Sequence, residues 1–76
     1  MIYILINLNF DGDSYKLYPH TEEGLAQAKE DLESGKEEYH HSIVIAAVET
    51  GREFGWGNRG EFYGGEIIEE WINEDE

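Results

Sequence analysis

The sequence predicts an α+β fold, in which a small antiparallel sheet of about four strands packs against one or two helices in an order close to ββαββα. Three patterns indicate this class: an apolar alternation over residues 2–10, an amphipathic pattern over residues 22–34, and a continuous apolar run over residues 42–49. With 76 residues, the chain supports one domain, residues 1–76, because a second core would have nothing to bury.

The first predicted strand covers residues 2–10. Ile or Leu occupies every second position up to Phe10, and this period of two with β-branched residues is typical of strands. Residues 11–14 read Asp-Gly-Asp-Ser, and Asp-Gly favours a hairpin turn because both residues tolerate positive φ. The chain then returns as a short strand over residues 15–18, which Pro19 ends because it lacks a backbone N–H.

A helix is predicted over residues 22–34. Thr21 is a favourable N-cap, and the two glutamates after it lie at the positive end of the helix dipole. Apolar residues recur at i, i+3 and i+7 from Leu25, which gives one narrow apolar stripe. Gly35 suits the left-handed position that ends many helices.

The second half of the chain predicts a central strand, a glycine-rich segment and a C-terminal helix. The apolar run over residues 42–49 fits a strand covered on at least one face. Thr50-Gly51 favours a turn into a further strand over residues 52–56. Residues 66–73 place apolar side chains at i, i+1, i+4 and i+5, which favours a short amphipathic helix over a strand.

Residues 54–65 alternate glycines with aromatic residues and allow two interpretations. In the first, Trp56 and Tyr63 anchor a protein interface and Arg59 adds a bidentate contact. In the second, the aromatic side chains lie under the sheet and the glycines form tight turns. We favour the core for Trp56 and exposure for Tyr63 and Asn58.

Enzymatic chemistry has little support in the sequence. The chain has no cysteine, and none of its serines lies in a Gly-x-Ser-x-Gly setting. Residues 55–60 match G-x-G-x-x-G but lack the crossover helix and strand of a dinucleotide site. A chain this short also has little room for a catalytic cleft beside its core. We therefore expect a protein that is not an enzyme and has no cofactor; a carboxylate or metal-dependent hydrolase is the remaining enzymatic hypothesis.

No metal site is expected from the spacing of potential ligands. Residues 11–22 imitate the ends of an EF-hand loop, but Tyr15 and Lys16 occupy positions that need an acidic ligand and a turn glycine. His40 and His41 are adjacent, and adjacent residues on a strand point to opposite faces. A site that joins one of them to the third histidine and a carboxylate is the metal-binding alternative.

Charge is the strongest functional signal. Eighteen acidic and five basic residues give a formal net charge of −13, which opposes direct binding to nucleic acid or to an anionic membrane. No apolar segment is long enough to span a membrane, and no basic start followed by a long apolar stretch indicates a signal peptide. We expect a cytoplasmic protein.

The acidic residues are predicted to form two helical arrays. These are Glu30, Glu33 and Glu37 in the first helix, and Glu66, Glu69, Glu70 and Glu74 in the C-terminal helix. Like charges at these spacings oppose folding, so a solubilising role alone would need fewer of them. Duplex DNA carries one negative charge per about 1.7 Å of its axis, so a rigid carboxylate array could occupy a Lys/Arg-lined groove. The competing interpretation is a domain that is merely very soluble.

In its size, its lack of cysteine and its acids grouped over residues 22–38 and 61–76, the chain resembles small phage-encoded inhibitors. These include anti-CRISPR and anti-restriction proteins, several of which act as DNA mimics. The resemblance covers the whole chain as composition, without a family motif, and residues 54–65 depart from it. It implies a basic nucleic-acid-binding partner, such as a CRISPR effector or a restriction-type enzyme, in the cytoplasm of the host cell.

The leading hypothesis is a non-enzymatic inhibitor that blocks the nucleic-acid-binding groove of a host protein by charge mimicry. The glutamates of the two arrays supply the charge, and Trp56, Arg59 and Tyr63 set specificity. The alternative is a small regulatory interaction module that uses residues 54–65. The chain is expected to be a monomer or a homodimer, since a free sheet edge favours pairing and the charge opposes it.

Overall fold

The computed structural model describes residues 1–9, 12–38 and 41–74, and it contains a four-stranded antiparallel sheet, one α-helix and a separate two-stranded hairpin. This arrangement confirms the predicted α+β class. In chain order the elements are β1 (Ile2–Leu8), β2 (Ser14–Pro19), α1 (Glu22–Gly35), a 3₁₀ turn (Lys36–Glu38), β3 (Ser42–Val48), β4 (Gly55–Trp56), β5 (Phe62–Tyr63) and β6 (Gly65–Ile72).

The sheet has the strand order β2-β1-β3-β6, and all neighbours are antiparallel. The predicted hairpin is confirmed, because β1 and β2 pair from Ile2 with Pro19 to Asn7 with Ser14. Phe10 and Asp11, which the prediction places in the first strand and its turn, lie outside the described residues. The predicted central strand is also confirmed as β3, which is buried along its whole length.

Helix α1 covers one side of the sheet, which we call the helix side. Its core consists of Leu5, Tyr18, Ala28, Leu32, Ile43 and Ile45. The Thr21 hydroxyl accepts the Gly24 N–H at 2.9 Å, which confirms the predicted N-cap. A Cβ at Gly24 would overlap the Pro19 carbonyl oxygen, so glycine lets the first turn of the helix approach the end of β2.

The predicted left-handed end at Gly35 is wrong. Gly35 is the last residue of α1, and Lys36 after it keeps a right-handed helical backbone with φ −59° and ψ −27°. The Lys36 N–H donates to the Leu32 carbonyl, so that carbonyl is satisfied by the continuing chain and no left-handed residue is needed.

The other side of the sheet, the hairpin side, is covered by aromatic residues of the β4–β5 hairpin. Phe54, Trp56 and Phe62 pack against a buried cluster of Ile4, Ile6, Val44, Ala46 and Val48. The predicted strand over residues 52–56 is therefore wrong as a strand of the main sheet. Only Gly55–Trp56 is extended, and it pairs with β5 because the chain turns after β3 and crosses the sheet face, where its aromatic rings are buried.

The C-terminal helix predicted over residues 66–73 is wrong, because this segment forms the edge strand β6. It pairs with β3 from Ser42 with Ile72 to Ile45 with Glu69, and the register then shifts so that Ala46 faces Ile67. Ile68 is the extra residue of this β-bulge. Among the described residues, no helix is long and apolar enough to cross a membrane.

Candidate functional site

The first predicted acidic array lies on the solvent side of α1. Glu30 and Glu33 are exposed and lie opposite the buried stripe of the helix, and the exposed Glu37 follows in the 3₁₀ turn. The Glu33 carboxylate pairs with the Lys36 ammonium at 3.1 Å. The helical spacing predicted from the sequence therefore holds for Glu30 and Glu33, and the acidic run extends past the end of α1.

The second predicted array has a different geometry, because its glutamates are on a strand. Glu66 pairs with Ala47 and Glu69 pairs with Ile45, so both side chains lie on the helix side. Glu70 pairs with Val44 and lies on the hairpin side. The predicted i, i+4, i+8 stripe is wrong, and Glu74 lies in a turn after the strand.

The bulge decides which glutamates share a side. In a regular strand, residues three apart point to opposite faces. The extra residue Ile68 restores the phase, so Glu66 and Glu69 both lie on the helix side. Trp71 also lies on this side, and the Lys36 ammonium is 5.9 Å from the centroid of its ring. Lys36, which follows α1 in the 3₁₀ turn, thus approaches the end of β6. We define the helix-side acidic surface as Glu30, Glu33, Glu37, Glu66 and Glu69.

The other predicted site residues lie away from that surface. Trp56 is partly buried against the hairpin-side core, as the core interpretation predicted, and its ring centroid is 5.2 Å from that of Phe62. Tyr63 is 48% exposed, as predicted, and Arg59 is exposed in the loop of the hairpin. The ten predicted residues are therefore divided between two sides of the sheet, and one flat partner surface cannot contact all of them.

A polar cluster that sequence reasoning missed joins α1 to the edge strand β2. The Asp31 carboxylate accepts hydrogen bonds from the Tyr18 hydroxyl at 2.6 Å and from the Lys16 ammonium at 3.0 Å, and its second oxygen accepts from the Gln27 amide at 3.1 Å. The signal in the sequence is the spacing of Lys16 and Tyr18, which puts both on one face of a strand. That this face meets Asp31 depends on where the helix packs.

The hydrogen bonds also shift the two titrating groups of the cluster. Those from Tyr18 and Lys16 hold the pKa of Asp31 below its usual value, against the opposing effect of partial burial. Burial first, and then the hydrogen bond to Asp31, raises the pKa of Tyr18 well above its usual value. The pair therefore stays as a neutral phenol and a carboxylate at neutral pH, which suits a structural tie between helix and sheet.

Potential metal ligands are dispersed in the part of the chain that the structure describes, where no group of three or more His, Asp or Glu side chains could hold an ion. The His20 ring stacks on Tyr3 with 4.6 Å between centroids. His40 lies outside the described residues.

Comparison of the chain with models of protein families, with curated proteins and with solved structures found no match. What the surface binds therefore has to follow from its own charge and geometry. The helix-side acidic surface places five exposed glutamates on one side of the sheet, on a helix, a 3₁₀ turn and a strand, so it is the candidate site.

Proposed function

We propose that this protein is a non-enzymatic inhibitor that occupies the cationic nucleic-acid-binding groove of another protein and competes there with DNA or RNA. The observation that carries the proposal is the helix-side acidic surface. Its carboxylates are attached to a helix, a 3₁₀ turn and a strand of one packed unit, so little backbone entropy is lost when they meet a partner.

Along α1 the spacing of neighbouring carboxylates approaches the charge spacing of one strand of DNA. Helical neighbours three or four residues apart have Cβ atoms about 5–6 Å apart, which describes Glu30 and Glu33. Each strand of B-DNA carries one charge per about 3.4 Å of axis. A groove lined by Lys and Arg would meet carboxylates at a spacing within about a factor of two of its usual ligand.

Pairing within the chain leaves much of this charge available. Lys36 pairs with Glu33 inside the helix-side acidic surface. Lys16 of β2 pairs with Asp31 of α1, and Arg52 pairs with Glu49 in the turn after β3; none of these four residues belongs to the defined surface. With a formal net charge of −13, the protein would be steered towards a basic groove and away from nucleic acid.

The alternative, an interaction module built on residues 54–65, has less support from the geometry. Its aromatic side chains Phe54, Trp56 and Phe62 pack against the hairpin-side core, and exposing them to a partner would uncover that core. Tyr63 and Arg59 remain exposed on this side and could add contacts to a partner that wraps around the sheet.

The test is capture from a bacterial lysate on the immobilised protein, followed by identification of the bound proteins and by competition with duplex DNA and with RNA. We expect proteins that bind DNA or RNA, released by the nucleic acid that they bind and by a rise from low to moderate salt. Captured proteins that neither duplex DNA nor RNA releases would contradict the proposal.

A charge-matched pair of variants then locates the contact. The triple variant Glu30→Gln/Glu33→Gln/Glu37→Gln removes three charges from the helix-side acidic surface. The control, Glu49→Gln/Glu53→Gln/Glu61→Gln, removes three charges from exposed residues of the segment between β3 and β5. We expect slower association with the captured protein for the first variant, with a smaller effect on release. Equal association rates for the two variants would count against the surface.

A further inference from the structure

The free edge of the sheet at β6 offers backbone hydrogen bonds to a partner, in addition to contacts between charges. β6 has eight residues and is the last strand of the order β2-β1-β3-β6. No residue of β6 is buried, and three of its large apolar side chains, Ile67, Ile68 and Ile72, are exposed. A long edge of this kind is a template for pairing with another strand.

The backbone of β6 presents hydrogen-bonding groups on its outer side. The Asn73 N–H donates to the His41 carbonyl at 3.0 Å, in the same register as the pair of Ser42 and Ile72. Because antiparallel pairs alternate between bonded and non-bonded, the N–H and C=O groups of Glu70 and Ile72 point away from β3. These groups are placed to pair with a further strand.

The opposite edge of the sheet, at β2, has features that discourage pairing. β2 has six residues, and it ends at Pro19, which has no N–H to offer. Lys16 lies in its middle and is tied to α1 through Asp31. Lysine and proline are common protections of edge strands, and β6 contains neither. β6 is protected instead by its bulge at Ile68 and by its three glutamates. The glutamates oppose pairing with an acidic strand but favour a basic one, and Glu69–Ile72 keep a regular register beyond the bulge.

The side chains of β6 differ between its two sides. On the helix side an incoming strand would meet Glu66 and Glu69, which favour Lys or Arg through charge, and the Trp71 ring, which the Lys36 ammonium already approaches. On the hairpin side it would meet Ile67 and Ile72, which favour apolar residues, with Glu70 between them. The two sides together call for basic residues on the helix side and mainly apolar residues on the hairpin side.

We propose that β6 binds an extended segment of its partner as a fifth strand, with Lys or Arg at alternate positions on the helix side and apolar residues between them. The proposal rests on the proposed function in taking the partner to be basic. A second copy of the chain is the less suitable occupant, because it would bring the β6 glutamates of two chains together, each chain with a net charge of −13.

The test uses blocked peptides of alternating Lys and Val, about eight residues long to match β6, with binding measured by fluorescence anisotropy. Three controls carry the same charge: a peptide with its lysines and valines in two separate blocks, and two alternating peptides with backbone N-methyl groups on either all lysines or all valines. In an extended peptide the N–H groups of alternate residues point to the same edge, so only one of the two methylated sets carries its N-methyl groups on the edge that faces β6. We expect that set, and the block peptide, to bind at least about tenfold more weakly than the alternating peptide.

A variant pair tests the same contact from the protein. Glu70→Pro removes an N–H that points outward and leaves the bonds to β3 intact, and Glu70→Gln makes the same change in charge. We expect Glu70→Pro to bind the alternating peptide at least about tenfold more weakly than Glu70→Gln, with an unchanged circular dichroism spectrum. If Glu70→Pro does not fold, the two methylated peptides decide the question on the unmodified protein.

The outcomes separate the two proposals. If all four peptides bind within about twofold of one another, the contact is charge alone and the strand pairing is wrong. If one methylated set loses binding while neither duplex DNA nor RNA releases lysate partners, the strand pairing stands and the nucleic-acid groove is wrong. Protection of the Glu70 and Ile72 amides from hydrogen exchange on peptide binding is the expected direct signature.

Discussion

Asp31 shows how one carboxylate in a chain rich in acids can stabilise the fold. It lies on α1, and it accepts hydrogen bonds from the Tyr18 hydroxyl and the Lys16 ammonium of β2. Removing an exposed acid such as Glu30 relieves repulsion, since the chain carries −13. Removing Asp31 relieves the same repulsion but loses the bonds to β2. Removal of Glu30 should therefore raise the free energy of unfolding, and removal of Asp31 should lower it.

We therefore predict that Asp31→Asn lowers the free energy of unfolding at neutral pH by about 1 kcal/mol relative to Glu30→Gln, which has the same change in charge. The pKa of Asp31 is lowered in the folded state, so its stabilisation is fully present above the unfolded pKa of about 3.9 and is lost as the pH falls through the folded pKa. Urea unfolding at neutral and at acidic pH measures both effects. A difference between the variants that persists below the folded pKa would contradict this assignment.

Gly64 and Gly60 form a matched pair for separating backbone strain from close packing. Both have positive φ, +87° at Gly64 and +82° at Gly60. A Cβ at Gly60 would meet nothing within 4 Å, whereas a Cβ at Gly64 would overlap the Glu53 carbonyl oxygen. The chain passes so close to residue 53 here because β5 must connect directly to β6.

We predict that Gly60→Ala costs about 1 kcal/mol of stability through its left-handed backbone, and that Gly64→Ala costs at least about 2 kcal/mol more. Chemical denaturation of the two variants measures the difference. Equal losses would mean that the backbone at Gly64 moves away from residue 53 at little cost.

At the scale of elements, the β4–β5 hairpin covers the hairpin side of the sheet. Trp56 on β4 packs against the core cluster, whereas Tyr63 on β5 is 48% exposed. We predict that Trp56→Ala lowers the free energy of unfolding by about 2–3 kcal/mol, since its partly buried ring leaves a cavity, and that Tyr63→Ala lowers it by less than about 1 kcal/mol. Thermal and urea unfolding measure both. A larger loss for Tyr63→Ala than for Trp56→Ala would mean that Trp56 is not part of the core, and it would favour the interaction module.

The sequence predicted correctly those strands in which one structural feature, the burial of each face, explains the apolar spacing. Both faces of β1 are buried at its centre, but its helix-side positions become more polar towards the ends, at Tyr3 and Asn7, which leaves an alternation. The apolar run of β3 is continuous because that strand is buried along its whole length. In β6 the pattern has two sources. Because the strand bulges at Ile68, it can contain two adjacent isoleucines followed by two glutamates. In the sequence, apolar residues in this order have the spacing typical of a helix. A one-residue shift in strand pairing is set by β3 and leaves no separate mark in the sequence.

At the scale of the whole molecule, the same limit applies to the candidate site. The number of acids and their grouping follow from the sequence, and so does the exposed face of α1. Which glutamates of residues 66–74 share a side depends on the bulge, which brings Glu69 to the helix side and leaves Glu70 on the other. That Lys36, just after α1, approaches Trp71 depends on the strand order, because β6 pairs with β3 on the side away from β1.

The surplus of negative charge should make stability depend on salt, in a way that reports where the charge is concentrated. Between about 0.01 and 1 M NaCl the Debye length falls from about 30 to about 3 Å, which screens repulsion among the exposed glutamates. We predict that Tm rises by about 5 °C or more over this range, the shift that about 1 kcal/mol produces in a domain of this size.

Neutralising Glu30, Glu33 and Glu37 to Gln should remove more of this salt dependence than neutralising Glu49, Glu53 and Glu61. Each set contains one paired glutamate, Glu33 with Lys36 and Glu49 with Arg52, so the pairs do not distinguish the sets. The difference is that Glu30, Glu33 and Glu37 lie on the same side of the sheet as Glu66 and Glu69. Calorimetry of both triple variants across the salt range measures the difference. Equal slopes of Tm against salt concentration would mean that the repulsion is spread evenly over the molecule. A nucleic-acid mimic needs the repulsion to be concentrated, because a groove that holds a polyanion contacts only one side of its ligand.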